Sequence, residues 1–171
     1  MALELITEVA NSHQGNIRLL RKIVTNFYRA GAETIKFQIY FAEDFLTKNH
    51  ERFLHFKKQS FSEKEWKQII SFTRKIGFKK IYADVLGIKA FTIAKKLNVD
   101  GYKIHSTDLN NDELLKKISL EKKKIFLSVG GAKLFEIDHA LGFFQNSSTK
   151  PILMHGFQSY PTKIQDVNLN Y

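Results

Sequence analysis

Gly31-Ala32-Glu33-Thr34-Ile35-Lys36-Phe37-Gln38 is an apolar run with a lysine set into its middle. On a strand, side chains alternate, so Ile35 and Phe37 point one way and Lys36 and Gln38 the other. A glycine at 31 reads as the end of a preceding helix, and a strand that follows a helix so closely is expected to be a buried parallel strand of an α/β unit. A lysine in such a strand needs an anion to face.

The pattern recurs at Val99-Asp100-Gly101-Tyr102-Lys103-Ile104-His105-Ser106, with Tyr102 and Ile104 on one face and Lys103 and His105 on the other. Two strand lysines share one explanation: a polar site at several strand ends, with two cations for a phosphate or carboxylate.

Outward from these strands, the chain reads as six repeats of strand then helix. Strands are expected at Leu3 to Val9, around Lys36, at Lys80 to Val85, around Lys103, at Lys124 to Ser128 and at Pro151 to His155. Helices are expected from Asn16, as N-cap, to Gly31; from Ser62, where Ser62 and Glu65 match a capping box, to Gly77; over Gly87 to Leu97; after Asn111; and over Lys133 to Phe144, with Leu134, Ile137, Leu141 and Phe144 facing the core. Between Ile39 and Phe61 lies a long connection rich in aromatics and histidines, read as a partly helical lid. Such alternation implies parallel strands and right-handed crossovers, leaving an open doubly wound sheet or part of an eightfold barrel. No glycine-rich nucleotide-binding sequence follows any strand, which disfavours the nucleotide-binding folds.

Composition narrows the classes. The 171 residues are 43% hydrophobic with no cysteine, so the chain is globular, has no disulfide, and would have to bind any metal through histidine and carboxylate. No apolar run is long enough to span a membrane and the amino terminus lacks the form of a signal peptide, so a cytoplasmic protein is expected. The net charge is +10, but lysines number 22 and arginines five, spread along the helices. That reads as a solvated surface that attracts anionic substrates; no nucleic-acid and no membrane partner is expected.

Glu8, Lys36 with Gln38, Lys103 with His105 and Ser106, Ser128, and His155 fall at or near strand carboxyl ends, where α/β sheets and barrels bind ligands. Each has a plainer reading taken singly. His155 could be a core histidine, His13 a loop cap, Asn110 and Asn111 helix caps, and Asp84 a carboxylate at a helix N-terminus.

Five segments occur in an order that resembles one family. They are Glu8-Val-Ala-Asn11-Ser-His13-Gln-Gly15; Gly31-Ala-Glu-Thr-Ile-Lys36-Phe-Gln38 with Ala42-Glu43-Asp44; Lys103-Ile-His-Ser106 with Asn110-Asn111; Leu127-Ser128-Val-Gly130; and His155-Gly-Phe-Gln-Ser159-Tyr160-Pro161-Thr162. Together they look like the sialic acid synthase family, which includes legionaminic and pseudaminic acid synthases. The resemblance implies a (β/α)8 TIM barrel, here truncated to about six βα units as a single partial domain over 1–171, without the family's antifreeze-like carboxy-terminal domain.

By the same resemblance, phosphoenolpyruvate condenses with an N-acetylated mannose-type sugar. Lys36, Lys103, Ser106 and Ser128 would hold phosphoenolpyruvate, and Gln38 would orient the sugar. Asp108, Asn111 and Tyr160 would complete the substrate site, and Glu8 would handle protons. His155 would be one of two histidines on Mn2+ or Mg2+, polarising the sugar aldehyde. Departures from the family are Tyr82-Ala83-Asp84 in place of Ser-Thr-Pro, Asp108 in place of Glu and Val129 in place of Thr. The chain also ends at Tyr171, before the segment that bears the second metal histidine. A homo-oligomer, or completion by another chain, is expected. The alternatives are a non-catalytic remnant that binds an anionic metabolite or partner, and a phosphate-binding barrel that uses Lys103 as a Schiff base.

Overall fold

A computed structural model of the chain describes residues 3–157, 159 and 161–167. Strands and helices alternate as expected: β1 (Ile6–Glu8), α1 (Ile17–Arg29), β2 (Thr34–Ile39), α2 (Ala42–Phe45), α3 (Phe53–Gln59), α4 (Glu63–Ile76), β3 (Lys80–Val85), α5 (Gly87–Lys96), β4 (Gly101–Ile104), α6 (Asp112–Ser119), β5 (Lys124–Ser128), α7 (Leu134–Gly142) and β6 (Ile152–Met154). The chain divides into two compact units, residues 1–102 and 103–171.

In the first unit β1, β2 and β3 run parallel. β2 is buried on both faces, which explains its run of β-branched and aromatic residues. Its Ile35, Phe37 and Ile39 join Ile81, Ala83 and Val85 of β3, Leu20 and Val24 of α1, and Trp66, Ile69 and Ile70 of α4 in one apolar core. Burial stabilises by about 1.5–3 kcal/mol for each large aliphatic or aromatic side chain. The caps follow the sequence. Asn16 Oδ1 accepts from the Arg18 and Leu19 amides at 2.9 and 3.1 Å. The Ser62 hydroxyl and the Glu65 carboxylate satisfy each other's backbone N–H groups at the start of α4. The expected lid is helical in two short pieces, α2 and α3.

In the second unit β5 and β6 run parallel, and Leu114, Leu115 and Ile118 of α6 are buried with Ile125, Leu127 and Phe144. Three expectations are corrected. β1 begins at Ile6 rather than Leu3, because Leu3 and Leu5 have nothing to bury against and stand 96% and 71% exposed. β6 is limited to Ile152–Met154, since Pro151 has no N–H to donate to a ladder. Leu134 lies on the same stripe of α7 as Ile137 and Leu141, but it sits in the first turn with nothing packed over it and is 81% exposed. Ala140 and Phe144 are the residues that α7 and its end bury.

Candidate functional site

Partners in register across a parallel pair share a face, so the pairing of β1, β2 and β3 sets Glu8, Lys36 and Tyr82 side by side and Gln38 beside Asp84. Lys36 is 6% exposed, and its Nζ lies 3.2 Å from Glu8 Oε2. The anion that a strand lysine demands is therefore the carboxylate of the neighbouring strand. Glu8 itself is 41% exposed at its side chain, so one partner of the pair reaches solvent.

Toward the strand starts the same face carries a second polar group. Tyr82 donates its hydroxyl to Glu4 Oε1 at 2.8 Å, and Lys80 Nζ lies 3.0 Å from the same oxygen. Burial first, and the Glu4 carboxylate second, push the Tyr82 phenol well above its ordinary pKa, so it stays a donor. Glu4 is a residue that the sequence reading missed as a site member, although its alternation with Ile6 and Glu8 was visible. Asp84 is corrected: it lies within β3, 1% exposed and in register with Gln38, rather than at a helix N-terminus.

The loop after β1 packs against the end of β2 and the connection that follows it. His13 is buried; its Nδ1 accepts from the Gly15 amide at 3.0 Å and its ring packs 4.7 Å from that of Phe61. Burial lowers its pKa to about 4, so the imidazole is neutral with the proton on Nε2. Tyr40, just past β2, donates its hydroxyl to Asn11 Oδ1 at 2.9 Å, and burial raises its pKa to about 12. Tyr40, Phe45 and Phe56 meet edge to face at 5.3 to 5.7 Å, so the aromatics of the lid form a packed cluster. His50 and His55 remain exposed on it.

In the second unit Lys103 is half-buried on β4, and Ser106 and Asp108 form a single 3-10 turn after it. Asn111 caps α6 by accepting from the Leu114 amide at 3.2 Å, and its Nδ2 donates to Asp108 Oδ1 at 2.8 Å. The plain reading of Asn111 as a cap is thus correct, and the cap also fixes Asp108. Ser128 ends β5 half-buried. His155 is exposed, and its Nε2 lies 2.5 Å from the Val167 carbonyl oxygen. A carbonyl only accepts, so Nε2 is the donor, which leaves Nδ1 as the ring nitrogen that a cation would use. Among the described residues no group of three or more histidine and carboxylate side chains converges as a metal site. Tyr160 lies outside the described residues.

The model of the NeuB family matches residues 23–171. An uncharacterised protein of Methanocaldococcus jannaschii is 36% identical over 97% of this chain and 49% of its own length. The N,N'-diacetyllegionaminic acid synthase of Campylobacter jejuni is 28% identical over 96% of this chain and 54% of its own. The solved N-acetylneuraminic acid synthetase of Leptospira borgpetersenii superposes with a TM-score of 0.88 at 28% identity, over 95% of this chain and 57% of that one. The chain spans about half the length of the curated relatives it matches.

Proposed function

The chain belongs to the NeuB family, and from that premise we propose that it contributes the phosphoenolpyruvate-binding part of a synthase of carbohydrate biosynthesis. The reaction joins the methylene carbon of phosphoenolpyruvate to the aldehyde carbon of an N-acetylated mannose-type sugar; water adds, inorganic phosphate leaves, and a nonulosonic acid results. The observation that carries this reading is the buried Lys36 held at 3.2 Å by a half-exposed Glu8. A desolvated cation whose counter-ion can swing away is suited to receive a small dianion, because the incoming charge replaces the carboxylate.

In this reading Lys36 meets the phosphate or carboxylate of phosphoenolpyruvate, and Lys103, Ser106 and Ser128 supply further contacts. Gln38, Asp108, Asn111 and Tyr160 position the sugar. Glu8, released from Lys36, handles a proton. His155 Nδ1 would be one ligand of Mn2+ or Mg2+, which supplies Lewis-acid polarisation of the aldehyde when bound.

Calorimetry with phosphoenolpyruvate tests the binding half. Each charge-assisted contact contributes about 1.5–3 kcal/mol, so Lys36→Ala and Lys103→Ala are each expected to weaken affinity by roughly 10- to 100-fold. Unchanged affinity in both variants overturns the assignment. Phosphate release that requires phosphoenolpyruvate, an N-acetylated mannose-type sugar and a divalent cation tests the catalytic half; binding without release would mark a chain that holds the metabolite and does not convert it.

A further inference from the structure

The outward side of α1 carries a charge pattern that the proposed reaction does not use. At roughly 100° per residue, Arg18, Arg21, Lys22, Thr25 and Arg29 fall on one side of the helix, opposite the buried Leu20 and Val24. The four cations are exposed, and α1 contains no acidic residue. This refines the reading of the basic residues as spread along the helices, since three of the five arginines in the chain share this one face.

Several basic side chains of the first unit meet carboxylates: Lys57 with Glu43, Lys79 with Glu33, Lys80 with Glu4, Lys96 with Glu63 and Arg74 with Asp100. Among the described residues, Arg18, Arg21, Lys22 and Arg29 have no such partner. Arg21, Lys22 and Arg29, with Thr25 and Asn26, line a shallow groove of about 330 Å³ floored by Phe72 of α4. The Arg21 guanidinium stacks over the Phe72 ring at 5.1 Å, which holds its planar fork in place.

We propose that this face of α1 docks an acidic polypeptide segment of a partner protein, with Arg18, Arg21, Lys22 and Arg29 pairing its carboxylates and Phe72 receiving an apolar side chain between them. The span from Arg18 to Arg29 is roughly 16 Å, or three helical turns, and a facing helix with carboxylates at i, i+4, i+7 and i+11 repeats at the same pitch. Charge complementarity selects the occupant. A second copy of this chain is itself strongly basic, and the acids named above are already paired with its own cations. A nucleic acid would want several aromatic rings on which successive bases stack, whereas the groove is lined by the single ring of Phe72.

The test is fluorescence anisotropy with a labelled helical peptide carrying glutamate at i, i+4, i+7 and i+11 and leucine between, at about physiological ionic strength. The wild-type chain is expected to bind it. The triple variant Arg18→Glu/Arg21→Glu/Arg29→Glu should lose about tenfold or more in affinity, and Arg18→Lys/Arg21→Lys/Arg29→Lys should lose less while net charge is kept. Lys48→Glu/Lys64→Glu/Lys67→Glu changes the net charge equally at other exposed positions and should leave binding nearly unchanged. The proposal is overturned if the wild type does not bind, if the two charge-reversed variants lose affinity equally, if a glutamine version of the peptide binds as well, or if a short single-stranded DNA competes for the same arginines more tightly than the peptide.

Discussion

A 6% exposed ammonium beside a 41% exposed carboxylate makes an unequal pair, and the inequality decides what each substitution does. Glu8→Ala leaves Lys36 desolvated with its counter-ion gone and is expected to cost about 1–3 kcal/mol, a value held below that of a fully buried pair by the exposure of Glu8. Adding Lys36→Met should recover part of that loss, which urea unfolding of the single and double variants will measure. His13 makes the second residue-scale prediction. Its folded pKa of about 4 lies below the ordinary 6.5, so between those values the unfolded chain binds a proton that the folded chain refuses. Stability therefore falls as pH falls through this window, by at most about 1.4 kcal/mol per pH unit, and levels off below about pH 4. Unfolding curves at several pH values should show this slope in the wild type and lose it in His13→Gln. At this scale the sequence displayed the polar face of β2, since alternation needs no partner. The identity of the anion opposite Lys36 was hidden, because only strand register brings Glu8 to it.

Element ends were legible because caps are local. Ser62 and Glu65 close a capping box as read, and Ser62→Ala is expected to cost about 1 kcal/mol in denaturant unfolding. The lid was legible as an aromatic-rich connection, but not its fastening. Gly15 sits at φ +73°, and a Cβ there would come within 2.3 Å of the Lys58 carbonyl oxygen at the end of α3. Gly31 has φ +87° with nothing within 4 Å. Gly15→Ala should therefore cost clearly more than the roughly 1 kcal/mol expected for Gly31→Ala, because the first adds a backbone collision to the strain of a left-handed conformation. Thermal unfolding of the two variants compares them directly, and equal losses would mean that α3 moves aside. No local pattern announces that contact, since residues 15 and 58 meet only after the loop and lid have folded onto each other.

For the molecule as a whole, the strands at either end of the chain leave apolar side chains in water: Leu3 and Leu5 beside β1, and Ile152 and Leu153, 47% and 45% exposed, on β6. Exposed strands of this kind pair with other chains. The purified chain is expected to self-associate in light scattering, and Ile152→Lys/Leu153→Lys to reduce it; a monomer that withstands concentration would show that these edges are covered in solution. No helix among the described residues is long and apolar enough to cross a membrane. The amino-acid sequence by itself determined the alternation of strands and helices, the caps and the placing of polar residues at strand ends, because each depends on neighbours within a few positions along the chain. Tertiary structure alone decided that Glu8 neutralises Lys36, that Asp84 and Glu4 line the same face, that Leu134 stays in water, and that among the described residues the α1 arginines meet no carboxylate. Those outcomes depend on register and packing between residues distant in sequence, where burial and charge pairing are set by what folds alongside.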